Sequence, residues 1–213
     1  MSCGFDLAHY RQLLDATKKG GYAFAFFDRD PRPGDVLLRH DVDLSLEAAV
    51  TVAELEAEED ARATYFLMTT SVFYNLASPP GEAALERLRA LGHRVGLHSD
   101  WPVVQLDGRF DPVIAWHNPE QAYMSERIDG AVNAMEPRFF QRDRYRSDSN
   151  QRWRSGCPHD ELGRGEFEWL QLMTHPEIWV YEGATMRESM ETMLAAEREL
   201  RWRQLEEDRI DLS

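Results

Sequence analysis

The stretch VLLRHDVDLS (residues 36–45) decides how this chain is read. Apolar Val36, Leu37 and Leu38 run directly into Arg39, His40, Asp41 and Asp43, groups that a globular protein ordinarily leaves in water. A strand that ends by presenting an imidazole and two carboxylates either closes in solvent or opens a site. Downstream, Ser45 has the chemistry of an N-cap and LEAAVTVAELEAEE (46–59) that of a helix. ATYFLM (63–68) has the aromatic and β-branched content of a buried strand. PPGEAALERLRALGH (79–93) predicts a helix with a Gly stop, and RVGLH (94–98) another short strand. Strand–helix–strand–helix–strand over 36–98 is the pattern of a parallel sheet covered by helices.

Upstream, residues 6–18 place Leu7, Tyr10, Leu13 and Leu14 at helical spacing before the KKGG stop, and YAFAFF (22–27) predicts a strand before a loop over 29–35. Beyond residue 100, PVIAWH (112–117), YRSDS (145–149) and WLQLMTH (169–175) are candidate strands with polar ends. Residues 184–207 predict a long charged helix with Met186, Met190, Met193 and Leu194 along one side, a side suited to packing on the domain or to an oligomer contact.

The chain has 213 residues, 43% of them hydrophobic, which suits one domain over 1–213 with a substantial core. Lys and Arg number 24 against 38 Asp and Glu, a net charge of −14 that argues against nucleic-acid or anionic-membrane partners. No apolar run reaches the roughly 18 residues of a membrane span, and the start lacks the pattern of a secretory signal, so a cytoplasmic location is expected. Cys3 and Cys157 are the only cysteines, too few for a disulfide framework or a cysteine-rich zinc site. His9, His93 and His159 have no strand-end context and read as structural or surface residues.

Several candidate strands finish on His40-Asp41-Val42-Asp43, His98, His117 and His175. In parallel α/β folds the C-terminal strand ends line one rim, so residues far apart in sequence meet there. Imidazole and carboxylate suit zinc and similar divalent ions, and an Asp/His/His set leaves coordination positions open. Each residue alone also has a plainer reading: a hydrogen-bonded strand-end His, or an Asp that caps the next helix.

RHDVD (39–43), ATYFLM (63–68) and LGHRVGLHSD (91–100), in that order, followed by WHNPE (116–120), YRSDSNQRW (145–153) and LMTHPEIW (172–179), resemble polysaccharide deacetylase-like proteins of the NodB-homology group, in a divergent branch. The resemblance implies a distorted, incomplete (β/α) barrel and a divalent metal, zinc first among them, used to remove N-acetyl groups from amino sugars. By position it implies Asp41 as general base, Asp43 and His98 as metal ligands, and His175 as general acid. Two departures stand out: Val42 separates an aspartate pair that is adjacent in the common form, and Pro102 occupies the place of a second metal histidine. His117 is the candidate replacement. Trp101, Trp116 and Trp179, beside the site histidines, have the aromatic faces that stack on sugar rings, and Tyr145, Asp148 and Trp153 lie near a later family motif.

The expected substrate is an amino-sugar or saccharide precursor inside the cell, nucleotide- or lipid-linked. Two other readings stay open: a catalytically inactive deacetylase-like protein that binds a sugar or a partner, and a metal-dependent glycosyltransferase that uses Asp41-Val42-Asp43 as its Asp-x-Asp pair.

Overall fold

The computed structural model describes residues 3–100 and 102–210. Its elements run α1 (Leu7–Lys19), β1 (Ala23–Ala25), β2 (Asp35–Val42), α2 (Leu46–Glu58), β3 (Thr64–Met68), α3 (Pro79–Ala90), β4 (Arg94–Ser99), β5 (Val113–Trp116), β6 (Val132–Asn133), β7 (Tyr145–Ser147), α4 (His159–Gly163), β8 (Leu170–Thr174), α5 (Pro176–Val180) and α6 (Met186–Glu207). The strands are ordered β6-β5-β4-β3-β2-β8-β7, every pairing parallel, with short β1 beside the first half of β2. The sheet curls into an open half-barrel covered by helices: a distorted, incomplete (β/α) barrel.

The helix starts follow local chemistry. Asp6, Ser45, Ser78 and Thr185 each cap a helix by accepting from a backbone N–H three residues on. The strands are buried on both faces, as a covered parallel sheet requires, so their sequences read as apolar runs and not as alternating ones.

Side-chain alternation then sorts each strand into two faces. Val36, Leu38 and Val42 of β2, Tyr65 and Leu67 of β3, and Leu170 and Leu172 of β8 join the large core under the helices. Leu37, Phe66, Val113 and Ala115 face the concave side, where Ala25, Phe27, Ala134 and Phe139 complete a smaller core. Across the open side, Gln171 Nε2 donates to the Ala134 and Phe139 carbonyls, both at 2.9 Å. Gly96 on β4 keeps this interior closed, because a Cβ there would stand 2.6 Å from the Phe66 ring.

The same alternation separates His40 from Asp41. His40 turns to the helix side, where Nε2 meets Glu56 Oε1 of α2 at 2.7 Å and Nδ1 meets Thr174 Oγ1 at 2.8 Å. Tyr10 and Tyr65 donate to the same Glu56 carboxylate, at 2.5 and 2.7 Å. Glu56 is fully buried, and this network supplies the partners that such a charge needs.

In α6 the buried face runs through Ser189 and Met193, with Met186 and Met190 half-buried, whereas Leu194 turns outward and is 53% exposed. The expected four-residue apolar side therefore loses Leu194, since one helical step of about 100° carries it away from Met193. No helix among the described residues is long and apolar enough to cross a membrane.

Candidate active site

Period two carries Arg39 and Asp41 from β2, Asp43 just after it, His98 from β4, His117 after β5 and His175 after β8 to the concave side at the C-terminal strand ends. There they line one cleft, together with Trp116, Tyr145, Ser149 and Met173, with a cavity volume of about 160 Å³. That is below the roughly 300 Å³ at which drug-sized pockets begin. A cleft of this size has room for a small group only.

Asp41 is buried and held by a fork: Arg39 Nε donates to Oδ1 and Nη2 to Oδ2, both at 2.7 Å. Arg39 lies over the Phe66 ring, 5.2 Å from its centroid, and Nη1 donates to Gln171 Oε1 at 3.2 Å. Burial raises the Asp41 carboxyl, but the Arg39 charge, then that of His98, outweighs it and brings the group down to about 2. Asp41 is thus ionised throughout the physiological range, and it needs an acidified partner before it can draw off a proton.

Asp43 and His98 form the next layer. His98 Nδ1 donates to the Ala115 carbonyl at 2.8 Å, which leaves Nε2 as the bare nitrogen of the neutral ring. Nε2 lies 3.1 Å from Asp43 Oδ1 and 3.8 Å from Asp41 Oδ2. Burial lowers the His98 pKa, yet the Asp41 and Asp43 charges raise it overall. Asp43 is raised by burial and lowered on balance by its contact with His98. Asp43 Oδ1 is buried and has no partner of hydrogen-bonding geometry, although Nε2 is close. Two lone-pair donors converge on one point that demands positive charge, supplied by a proton on His98 or by a cation.

His117 completes this side. Its Nδ1 lies 3.0 Å from Asp100 Oδ1, its Nε2 lies 2.9 Å from the Asn118 amide, and Nε2 is 3.9 Å from Asp43 Oδ2. Nδ1 donating to Asp100 fixes the tautomer, and the Nε2 lone pair accepts from the Asn118 amide, so it would turn to an ion beside Asp43 only on leaving Asn118. Asp43 and His98 are close enough to share a divalent cation, whereas His117 is not gathered with them into a three-ligand cluster in this structure.

On the opposite wall, Asp148 Oδ1 accepts from His175 Nδ1 at 2.6 Å, while Oδ2 accepts from the His175 backbone N–H at 3.0 Å and from Trp179 Nε1 at 2.7 Å. Burial lowers the His175 pKa, but the Asp148 charge and hydrogen bond override it and push the ring up to about 10. At neutral pH the imidazolium carries a proton on Nε2, and His175 lines the cleft.

Of the aromatic and polar residues expected to touch substrate, Trp116 and Tyr145 line the cleft. Asp148 and Trp179 stand behind it: both are fully buried, Asp148 has both oxygens committed, and Trp179 is enclosed by Phe5, Tyr10 and Trp153. Neither offers substrate a free face; they position His175. Trp153 belongs to that same aromatic cluster and not to the cleft. Trp101 lies outside the described residues.

Sequence reasoning missed Asp100, Asn118 and Glu177 as site residues. Glu177 is fully enclosed beside His175, its Oε2 has no hydrogen-bond partner, and burial, with Asp43 adding to it, pushes its carboxyl up to about 8. A Glu two residues after the rim histidine was the available signal, and Pro176 at the helix start hid it as an ordinary first-turn acid.

No family model and no curated protein matches the chain. Among solved structures, a peptidoglycan deacetylase of Bdellovibrio bacteriovorus is similar over 87% of this chain and 54% of that chain, at 19% identity and a TM-score of 0.38. The chain therefore spans about half the length of that protein.

Proposed function

We propose that the chain is a single metal-dependent hydrolase domain of the polysaccharide deacetylase type, which removes N-acetyl groups from an amino sugar or saccharide precursor. The observation that carries this reading is the meeting, in one small cleft, of an Asp43–His98 pair that takes a proton or a cation, an Asp41 held ionised by Arg39 and a His175 held protonated by Asp148 at neutral pH. Zinc suits the Asp/His/His donors, and such an ion bound there would polarise an amide carbonyl and make water more acidic.

Asp41, locked by Arg39, accepts the proton of the attacking water. His175, charged by Asp148, delivers its Nε2 proton to the leaving nitrogen, which departs poorly as an anion. Trp116 and Tyr145 border the acyl group, and the sugar lies across the open mouth.

A sugar-binding protein without turnover is the second reading, favoured by Pro102 at the family histidine position and by the 3.9 Å gap between His117 and Asp43. The glycosyltransferase reading is disfavoured, because the Arg39 fork offsets the Asp41 charge that an Asp-x-Asp pair would bring to a metal, and a cleft of about 160 Å³ is small for a sugar diphosphate.

The test is acetate release from a panel of N-acetylated amino sugars and oligosaccharides by zinc-loaded protein. The expected result is turnover that falls at least about 100-fold in Asp41→Asn and in His175→Ala, the scale of lost acid–base catalysis. Binding of a panel member with no acetate release would establish the second reading instead.

A further inference from the structure

On the far side of the aromatic cluster that backs Asp148, the fold gathers the protein's two cysteines around a buried histidine. Cys3 sits on the surface just before α1, and Cys157 lies half-buried just before α4, both as free thiols. Although 154 residues apart in sequence, their sulfurs and a ring nitrogen of His9 all lie within 4.8 Å of one another. His9 Nε2 is 3.2 Å from Cys157 Sγ, and Nδ1 is 3.2 Å from Gln12 Oε1. A carbonyl oxygen facing Nδ1 requires that nitrogen to donate, so Nε2 keeps its lone pair and aims it at the sulfurs.

We propose that Cys3, His9 and Cys157 form a second cation site, for a thiophilic divalent ion such as zinc, that clamps the N-terminal segment onto the loop before α4.

The geometry suits this ion. Zn–S of 2.3 Å and Zn–N of 2.0–2.1 Å in a tetrahedron set ligand atoms about 3.6 Å apart along an N···S edge and about 3.8 Å along an S···S edge. The observed 3.2 Å and the 4.8 Å envelope bracket those edges, so ligation needs only small side-chain adjustments. Two sulfurs and an imidazole favour zinc over the hard ions that an all-oxygen site would select. Solvent would complete the fourth position, as in zinc sites with three protein ligands. Each thiol gives up its proton to the solvent on ligation.

A Cys–His nucleophile is the competing role. Burial and the adjacent Cys3 hold the Cys157 thiol up to about 12, which keeps it protonated and unreactive at neutral pH. The clamp joins elements already in contact: Phe5 stacks near Trp153 at 6.1 Å between centroids, and His9 on Trp179 at 6.2 Å. Trp179 donates in turn to Asp148, so the second ion would sit one aromatic layer behind the His175 wall.

The experiment is anaerobic titration of the reduced full chain with Co²⁺, followed by thiolate-to-cobalt charge-transfer absorption. The rim cleft offers thioether sulfur but no thiolate, so this thiolate band reports the clamp alone, whether or not the rim binds metal. The expected result is a band that saturates near one Co²⁺ per chain, is displaced by Zn²⁺, and is lost in Cys157→Ser. Cys3→Ser and His9→Ala should weaken binding at least about 10-fold, the scale on which disturbing a metal site costs affinity. Cys3→Ser alters an exposed residue outside the secondary structure, so it keeps the test valid if Cys157→Ser does not fold. No charge-transfer band at excess Co²⁺, a band with unchanged affinity in both Cys3→Ser and His9→Ala, or a Cys3–Cys157 disulfide whose reduced form takes up no metal would each overturn the proposal.

Discussion

Replacing Asp148 by Asn isolates the device that keeps His175 charged. The carboxylate faces three donors, from His175 Nδ1, the His175 backbone and Trp179 Nε1. Asn keeps the shape but retains one acceptor and puts an N–H where the second oxygen stood, so at least one buried donor loses its partner. Losing charge-assisted bonds of this kind costs about 2–4 kcal/mol. For a chain of this size that is a Tm lower by roughly 4–16 °C, at 2–4 °C per kcal/mol. Removing a neighbouring opposite charge lowers a histidine pKa by about 1–3 units, so His175 should fall from about 10 to about 7–9. The assay is NMR of the ring resonances across pH, with thermal melts at the same points. His175 titrates near 6.5 when unfolded, so its contribution to stability is complete below about pH 6.5 and disappears as pH rises through about 10. In Asp148→Asn that decline should begin and end at lower pH. A wild-type His175 that titrates near 6.5, or a variant whose titration matches the wild type, would refute the reasoning.

Three other outcomes follow from the same geometry. Arg39→Met leaves Asp41 buried without its fork; stability should drop by about 3–5 kcal/mol in chemical denaturation, and Asp41 should titrate above about 2. Glu177→Gln should stabilise the protein, by about 5 kcal/mol at pH 8.5 and about 1 kcal/mol at pH 5. The native carboxyl holds its proton up to about pH 8 whereas the unfolded one is ionised above about 4.3, so wild-type stability falls over that interval; parallel pH–stability curves for the two proteins would contradict this. Gly96→Ala drives a methyl group into the Phe66 ring beneath Arg39 and should cost about 1–3 kcal/mol, read as a lower denaturation midpoint.

Much of the fold was legible in the sequence. The strands at 36–40, 63–68 and 94–98 and their covering helices announced themselves because buried parallel strands are apolar runs bounded by caps and glycines. β6, with two residues, and the one-turn helices α4 and α5 were not, because so few residues show no period. The rim residues Asp41, Asp43, His98, His117 and His175 could be gathered from strand ends alone, since alternation fixes which face each takes. What periodicity could not supply was depth: whether Trp179 and Asp148 touch the cleft or stand behind it depends on α1 and the Phe5 segment packing over them from the other end of the chain. The Cys3–His9–Cys157 cluster was invisible for the same reason, because it joins segments that share no motif.

Under the proposed function, Asp43 and His98 hold a divalent ion beside Asp41 and His175. This is tested most directly by zinc uptake in protein carrying Cys3→Ser and Cys157→Ser, so that only the rim can bind, measured by equilibrium dialysis and elemental analysis. The expected result is about one zinc per chain, abolished by Asp43→Ala and by His98→Ala and weakened by His117→Ala. No zinc bound by the parent, or uptake unchanged in both Asp43→Ala and His98→Ala, would contradict it.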